Sequence, residues 1–322
     1  MPRLAMVERY CLIGHGVSMA FGLAGLLWVM PNPEFLQYVP AGQTAFAWSM
    51  AGGGVVYIVL GAIAVTLYAY RTLGLSALLA FLLPSIGISL ASELLGTSTG
   101  FPFGDYSYLN GLGYKVAGLV PFTIPMSWFY LGLSSYVLAR SGLLAKGRQR
   151  GEGRLLMGVL HISALILGAG LLTAWDFVLD PAMSQTAMPF WYWHQPGAFF
   201  GMPYQNFAGW LGTGLVFMAI AAVIWRLLSV PSTLNRSQVN VPFVVYLLNF
   251  GFAAVMSLAS GIYTPVLLGL LVGAVPAFVC WLWAGDDQPK AGQGAEVSGD
   301  LSAANTSSYV APSAAVAGVS PK

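Results

Sequence analysis

The chain has 322 residues, of which 57% are hydrophobic and only 7% charged, and its mean hydropathy is +0.74. A soluble domain carries about 25% charged residues, so a water-soluble fold is excluded and a polytopic membrane protein is expected. The 13 Lys and Arg against 11 Asp and Glu leave no basic face for nucleic acid.

A membrane-crossing helix needs about 20 mostly apolar residues. Eight segments qualify, at 11–30, 45–70, 73–95, 118–139, 155–175, 207–228, 241–260 and 263–284. The first follows a short basic flank, Arg3 and Arg9, and is longer than a signal-peptide core with no small-residue cleavage site behind it. It therefore reads as a retained transmembrane helix. The last two are almost contiguous and suggest a hairpin turning at Gly261. Cys11 and Cys280 both fall in apolar runs, which argues against a disulfide framework. The run AGGG at 51–54 permits close helix packing.

Basic residues orient the bundle. Arg3, Arg9, Arg71, Arg140, Lys146, Arg148, Arg150, Arg154, Arg226 and Arg236 fall on alternate connections, and the others hold only Lys115. The expected fold is all-α, a polytopic bundle of about eight transmembrane helices with both termini cytoplasmic. Residues 1–284 form the membrane domain. Residues 285–322, rich in Ala, Ser, Gly and Pro, read as a flexible low-complexity cytoplasmic tail.

The acids follow the opposite pattern. Glu34, Glu93, Asp105, Asp176 and Asp180, with His194, map to the non-cytoplasmic half, whereas His15 and His161 lie toward the cytoplasmic side. From His161 to Asp176 a helix spans roughly 22 Å, so one compact site is not expected to contain both. Carboxylates at membrane depth cost energy and are read first as functional.

Two stretches gather these groups. In ELLGTSTGFPFGDYSY, Glu93 and Asp105 flank a Gly/Pro/Phe-rich break between two hydrophobic segments. Irregular backbone is tolerated at that depth where it lines a cavity; the plain alternative is a turn with acids among lipid headgroups. In AWDFVLDP, Asp176 and Asp180 stand four apart before Pro181. If the helix reaches 180 they share one face, about 6 Å apart. Two carboxylates in an apolar pocket do not both ionise easily, so one would carry a proton and act as an acid toward a double bond. The alternative is that both cap helix ends or face water in the loop. His194, in FWYWHQP, suits proton relay or headgroup contact, or is an inert interfacial residue. Trp175, Trp191, Trp193 and Trp210 suit stacking on a polyene or shielding of a cation, against the usual aromatic belt. His15 and His161 read as cross-helix hydrogen-bonding partners.

Three histidines do not supply the boxes of a membrane di-iron oxygenase, and no GxGxxG after a strand or GxxxxGK[ST] motif occurs. No cofactor and no metal are expected. Acid–base chemistry, transport or a structural role remain.

The runs SELLGTSTGFPFGDYSY, VPFTIPMSWF, WDFVLDPAM and WYWHQPGAFFGMPYQNFAGW closely resemble the carotenoid-biosynthesis membrane hydratases, a family that includes γ-carotene 1′-hydratases and bisanhydrobacterioruberin hydratases. The resemblance covers roughly residues 80–215. Matching positions are Glu93, Gly100, Pro102, Phe103, Gly104 and Tyr106, then Asp176, Asp180, Pro181, Trp193, Gly201, Pro203, Asn206 and Trp210. It implies water addition across the terminal double bond of an acyclic, γ-carotene- or lycopene-like end group, giving a tertiary alcohol. Asp176 or Asp180 would then deliver the proton and Glu93 or Asp105 would activate water. Tyr106, Phe103, Trp193, His194, Asn206 and Trp210 would bind substrate or water. The substrate would arrive from the bilayer of a bacterial inner or internal membrane, with a glycosyltransferase or cyclase of the same pathway as a further partner. A membrane transporter and a non-catalytic carotenoid-binding scaffold are the competing readings.

Overall fold

Long apolar runs become long helices. The structure, a computed structural model, describes residues 2–186 and 188–285; all of the expected tail except residue 285 lies outside the described residues. Among the described residues there are eight long helices. They are α1 (Pro2–Val29), α2 (Gly42–Leu73), α3 (Leu75–Thr99), α4 (Thr123–Gln149), α5 (Arg154–Ser184), α6 (Tyr204–Leu227), α7 (Arg236–Ala259) and α8 (Thr264–Trp283). The last turn of α1 and the middle of α8 widen into π-helix. Seven of the eight have the length and apolarity to cross a membrane, and α4 is the exception. The molecule is an all-α integral membrane bundle.

Each expected segment holds one of these helices, and the ends are where expectation and structure part. α3 runs past Glu93 to Thr99, and α5 continues through Pro181 to Ser184. Proline removes one helical hydrogen bond, and neighbouring protein absorbs that cost at membrane depth. Both acids of AWDFVLDP therefore sit inside a helix, on one face. α7 and α8 are separate helices joined at Gly261, whose φ of +74° closes the turn.

The departure of α4 from membrane-helix composition has a packing cause. Nearly every residue from Thr123 to Ala145 is buried, because α2, α3, α5, α7 and α8 surround it. Two of its polar groups are bonded within the bundle: Ser134 Oγ donates to Tyr130 O of its own helix at 2.7 Å, and the Tyr130 hydroxyl donates to Asn249 Oδ1 of α7 at 2.9 Å. Close approach to α8 needs glycine, since a Cβ at Gly142 would lie 2.5 Å from the Cys280 carbonyl oxygen. The lipid-facing side is carried by other helices, through exposed residues such as Phe21, Ile162, Ile166 and Val223.

The two ends of the bundle differ. At one, Arg71 pairs with Glu8, Arg140 Nη1 donates to Pro231 O at 2.7 Å and Arg148 Nη1 to Thr233 Oγ1 at 2.8 Å. At the other, the α3–α4 and α5–α6 connections meet as an antiparallel ribbon of β1 (Tyr106–Tyr108) and β4 (Trp191–Trp193). Tyr106 pairs with Trp193, Ser107 with Tyr192 and Tyr108 with Trp191. A smaller hairpin, β2 (Lys115–Val116) with β3 (Val120–Pro121), leads into α4.

Candidate active site

The β1–β4 ribbon decides which side chains enter the bundle. Successive strand residues face opposite ways, so Tyr106, Tyr108, Trp191 and Trp193 point inward and are buried, while Tyr192 points out. Gly104 (φ +119°) turns the chain into β1, and a Cβ there would meet Pro203 at 2.8 Å. Phe103 fits as a plug between α3 and α6, against glycines at positions 96 and 209: a Cβ would lie 2.8 Å and 2.5 Å from its ring.

Below the ribbon the carboxyls of Glu93, Asp176 and Asp180 line one cavity of about 60 Å³, each residue no more than 3% exposed. That volume has room for a few water molecules. The three acids differ in how they are bonded. Glu93 Oε2 accepts from the Tyr106 hydroxyl and from the Tyr108 hydroxyl (2.8 Å), and Oε1 accepts from Trp128 Nε1 at 2.9 Å. Asp180 Oδ1 accepts from Trp193 Nε1 and Ser184 Oγ, both at 3.0 Å, and Oδ2 accepts from Trp191 Nε1 at 3.0 Å. Asp176 has one partner, Asn206 Nδ2 at 2.7 Å from Oδ2, and its Oδ1 has none in the protein. Trp175 Nε1 is likewise unbonded, and both residues line the cavity. Buried polar atoms are nearly always bonded, so a water or a substrate group in the cavity is their remaining partner.

Aromatic rings complete the wall. Trp128 stacks on Trp210 with centroids 3.9 Å apart, Trp175 meets Trp210 edge-on at 5.8 Å, and Phe103 lies 6.1 Å from Trp128. Burial pushes the Tyr106 and Tyr108 phenols well above their ordinary range, and the Glu93 charge adds to it. They are neutral donors. Among the described residues, no histidine or cysteine lines the cavity.

With this geometry in hand, comparison with known proteins is decisive at the level of family. Residues 53–276 match the family described as "Carotenoid biosynthesis protein". The chain belongs to that family. This carotenoid biosynthesis protein is 38% identical over 140 residues to the bisanhydrobacterioruberin hydratase of Haloarcula japonica, a match covering 44% of this chain and 42% of the relative. The alignment thus spans less than half the length of that relative. No solved structure matches.

Of the residues singled out in this carotenoid biosynthesis protein, Glu93, Asp176, Asp180, Phe103, Tyr106, Trp193, Asn206 and Trp210 come together around the one cavity. Asp105 and His194 do not. Both side chains are exposed, 3.9 Å from one another on the outer side, and the His194 N–H donates to the Asp105 carbonyl at 2.9 Å. Strand parity is the reason: each is next to an inward ring and so points outward. The expected catalytic part for Asp105 and binding part for His194 thus have no support from the cavity. His161 is remote from it, beside Arg140 and Arg226 at the other end. His15 is closer than expected: it is buried behind the wall, with Nδ1 at 2.7 Å from Tyr57 O, Nε2 at 3.0 Å from Asn249, and its ring 5.7 Å from Tyr130. Tyr108, Trp128 and Ser184 were missed, although all three bond the carboxyls. The available signal for Trp128 was a Trp in the second turn of an otherwise apolar and serine-bearing segment, because a buried indole N–H needs an acceptor.

Proposed function

We propose that this protein adds water across the terminal double bond of an acyclic carotenoid end group, γ-carotene- or lycopene-like, to give a tertiary 1′-alcohol. The observation that carries this reading is Asp176: a buried carboxyl with one oxygen unbonded, facing a water-sized cavity walled by indole rings. The name of the Haloarcula japonica relative agrees with it.

A protonated carboxyl has one O–H to give. Glu93 and Asp180 each accept three hydrogen bonds, which suits two anions. Asp176, with a single donor on Oδ2, is the carboxyl with an oxygen available to hold a proton toward substrate. It protonates the less substituted alkene carbon, leaving a tertiary cation and the Asp176 carboxylate. The indole faces and the fixed charges of Glu93 and Asp180 stabilise that cation. A cavity water then forms the new C–O bond, and the proton it loses restores the carboxyl set, so the sum is one water added. Glu93, held by Tyr106, is the base that orients this water. A positioned acid or base contributes about 10²–10⁴-fold, so several groups must act together.

The chamber lies at the end of the bundle opposite Arg71, Arg140 and Arg148. The positive-inside rule therefore supports cytoplasmic termini and a site on the non-cytoplasmic side of a bacterial inner or internal membrane. The substrate comes from the bilayer, and a glycosyltransferase or cyclase is the expected neighbour in the pathway.

The test is expression in a bacterium that accumulates lycopene or γ-carotene, grown in isotope-labelled water. A new pigment heavier by one labelled water supports hydration. A pigment gaining a single oxygen from O₂ makes the protein an oxygenase and removes the mechanism. No new pigment from inserted, folded protein favours transport or a scaffold.

A further inference from the structure

The chamber is too small to enclose the body of a carotenoid, so the chain of the substrate must lie elsewhere. A second cavity of about 260 Å³ adjoins it between α1, α2 and α7. The two share Tyr57 as a lining residue. They also meet along the connections, where Gly111 and Phe190 of the second cavity directly precede Leu112 and Trp191 of the chamber. Among the described residues, no charged one lines it. Its long walls are bare backbone at Gly22, Gly25, Gly53 and Gly54, with the rings of Tyr57 and Phe252, 5.6 Å apart, across one end.

We propose that this α1–α2 slot holds the conjugated hydrocarbon arm of the substrate next to its reacting end group, with Tyr57 at the threshold to the chamber. The identity of the arm rests on the hydration reading above. Three features favour such an occupant. Two of these glycines leave spare room, since a Cβ at Gly22 would meet nothing within 4 Å and one at Gly53 only Ser49 Oγ at 3.5 Å, whereas Gly54 is a close contact, its Cβ position 2.6 Å from Gly111 O. From Ser49 to Tyr57 the slot runs beside α2 for about 12 Å, a length that takes several conjugated double bonds of a rigid polyene. The outer faces of the same helices carry exposed Phe21 and Trp48, as expected where the arm passes into lipid. A rival groove of about 620 Å³ on the α5–α6 face, lined by Gly170, Phe177 and Phe207, also has residues that directly follow chamber residues, Phe177 after Asp176 and Phe207 after Asn206, but unlike the slot it shares no lining residue with the chamber.

The test uses the full chain in lipid nanodiscs with two probes: lycopene, and farnesene as a short acyclic terpene with the same end group. Gly53→Leu and Gly22→Leu fill the slot from two different helices, and Gly170→Leu fills the rival groove; thermal melts check the fold of each. Lycopene retention through gel filtration is expected to fall about tenfold or more in both slot variants, as overpacking predicts, while Gly170→Leu stays within about twofold of the parent. Farnesene hydration is expected to survive in the slot variants. Unchanged lycopene retention in both slot variants, selective loss in Gly170→Leu, or equal loss of both probes in folded slot variants overturns the proposal. If the parent protein hydrates neither probe but loses lycopene on Gly53→Leu, hydration is wrong and the polyene slot stands.

Discussion

Tyr106 and Trp193 face each other across the β1–β4 ribbon with ring centroids 5.1 Å apart, and each gives its polar hydrogen to a different carboxylate, Glu93 and Asp180 respectively. One short ribbon thereby fixes two acids that belong to different helices, α3 and α5. Asp176, one turn before Asp180, is left as the acid the ribbon does not bind.

Asp176→Asn is expected to lower pigment conversion by about 10²-fold or more, the contribution of one positioned proton donor. The new amide oxygen still accepts from Asn206, so the fold should be kept. Conversion in membranes and a thermal melt of the purified protein check both halves. Full activity would remove Asp176 from the mechanism.

Trp193→Phe takes one donor from buried Asp180 and leaves an oxygen with a single partner. The expected loss is about 1–3 kcal/mol of stability, read as a lower melting temperature. Asp180→Asn is expected to restore part of it in the double variant, since the stranded charge is then gone.

Both ribbon phenols, raised by burial and then by Glu93, ionise later in the folded chain than in the unfolded one. Their stability contribution is therefore fully present below the ordinary phenol value of about 10 and is lost as pH climbs above it. Melting temperature followed into alkali should decline less steeply in Tyr106→Phe than in the parent.

Gly209→Ala places a Cβ 2.5 Å from the Phe103 ring. Overpacking of that kind costs about 1–3 kcal/mol. Conversion should fall with stability, because Phe103 touches both Tyr106 and Trp128 of the chamber wall.

Asp105→Asn and His194→Ala change exposed groups outside the chamber and are expected to move stability by no more than about 0.5 kcal/mol. Pigment yield should match the parent. A large loss in either would return these two residues to the mechanism.

The helices and the pairing of Asp176 with Asp180 were legible in the sequence because length and hydropathy are local properties, and a four-residue spacing needs only a continuing helix. The strand pairing of Tyr106–Tyr108 with Trp191–Trp193 was not, since three-residue strands carry no periodic signal and their partners lie far apart in the chain. Without it, Asp105 stays a candidate beside Glu93, and nothing in the sequence marks Tyr108 as a partner of Glu93. Trp128 was obscured for a related reason: its bond to Glu93 joins two helices, and composition does not report which faces meet.

The enclosure of α4 bears on how the chain is made. Ser127, Ser134, Ser135, Arg140 and Ser141 are all buried, so this helix carries polar groups on faces that its neighbours cover. As it emerges from the ribosome only α1 to α3 exist, and the helices that will wrap its other faces are still unsynthesised. Full cover for the polar groups of α4 therefore exists only once α5, α7 and α8 have been made.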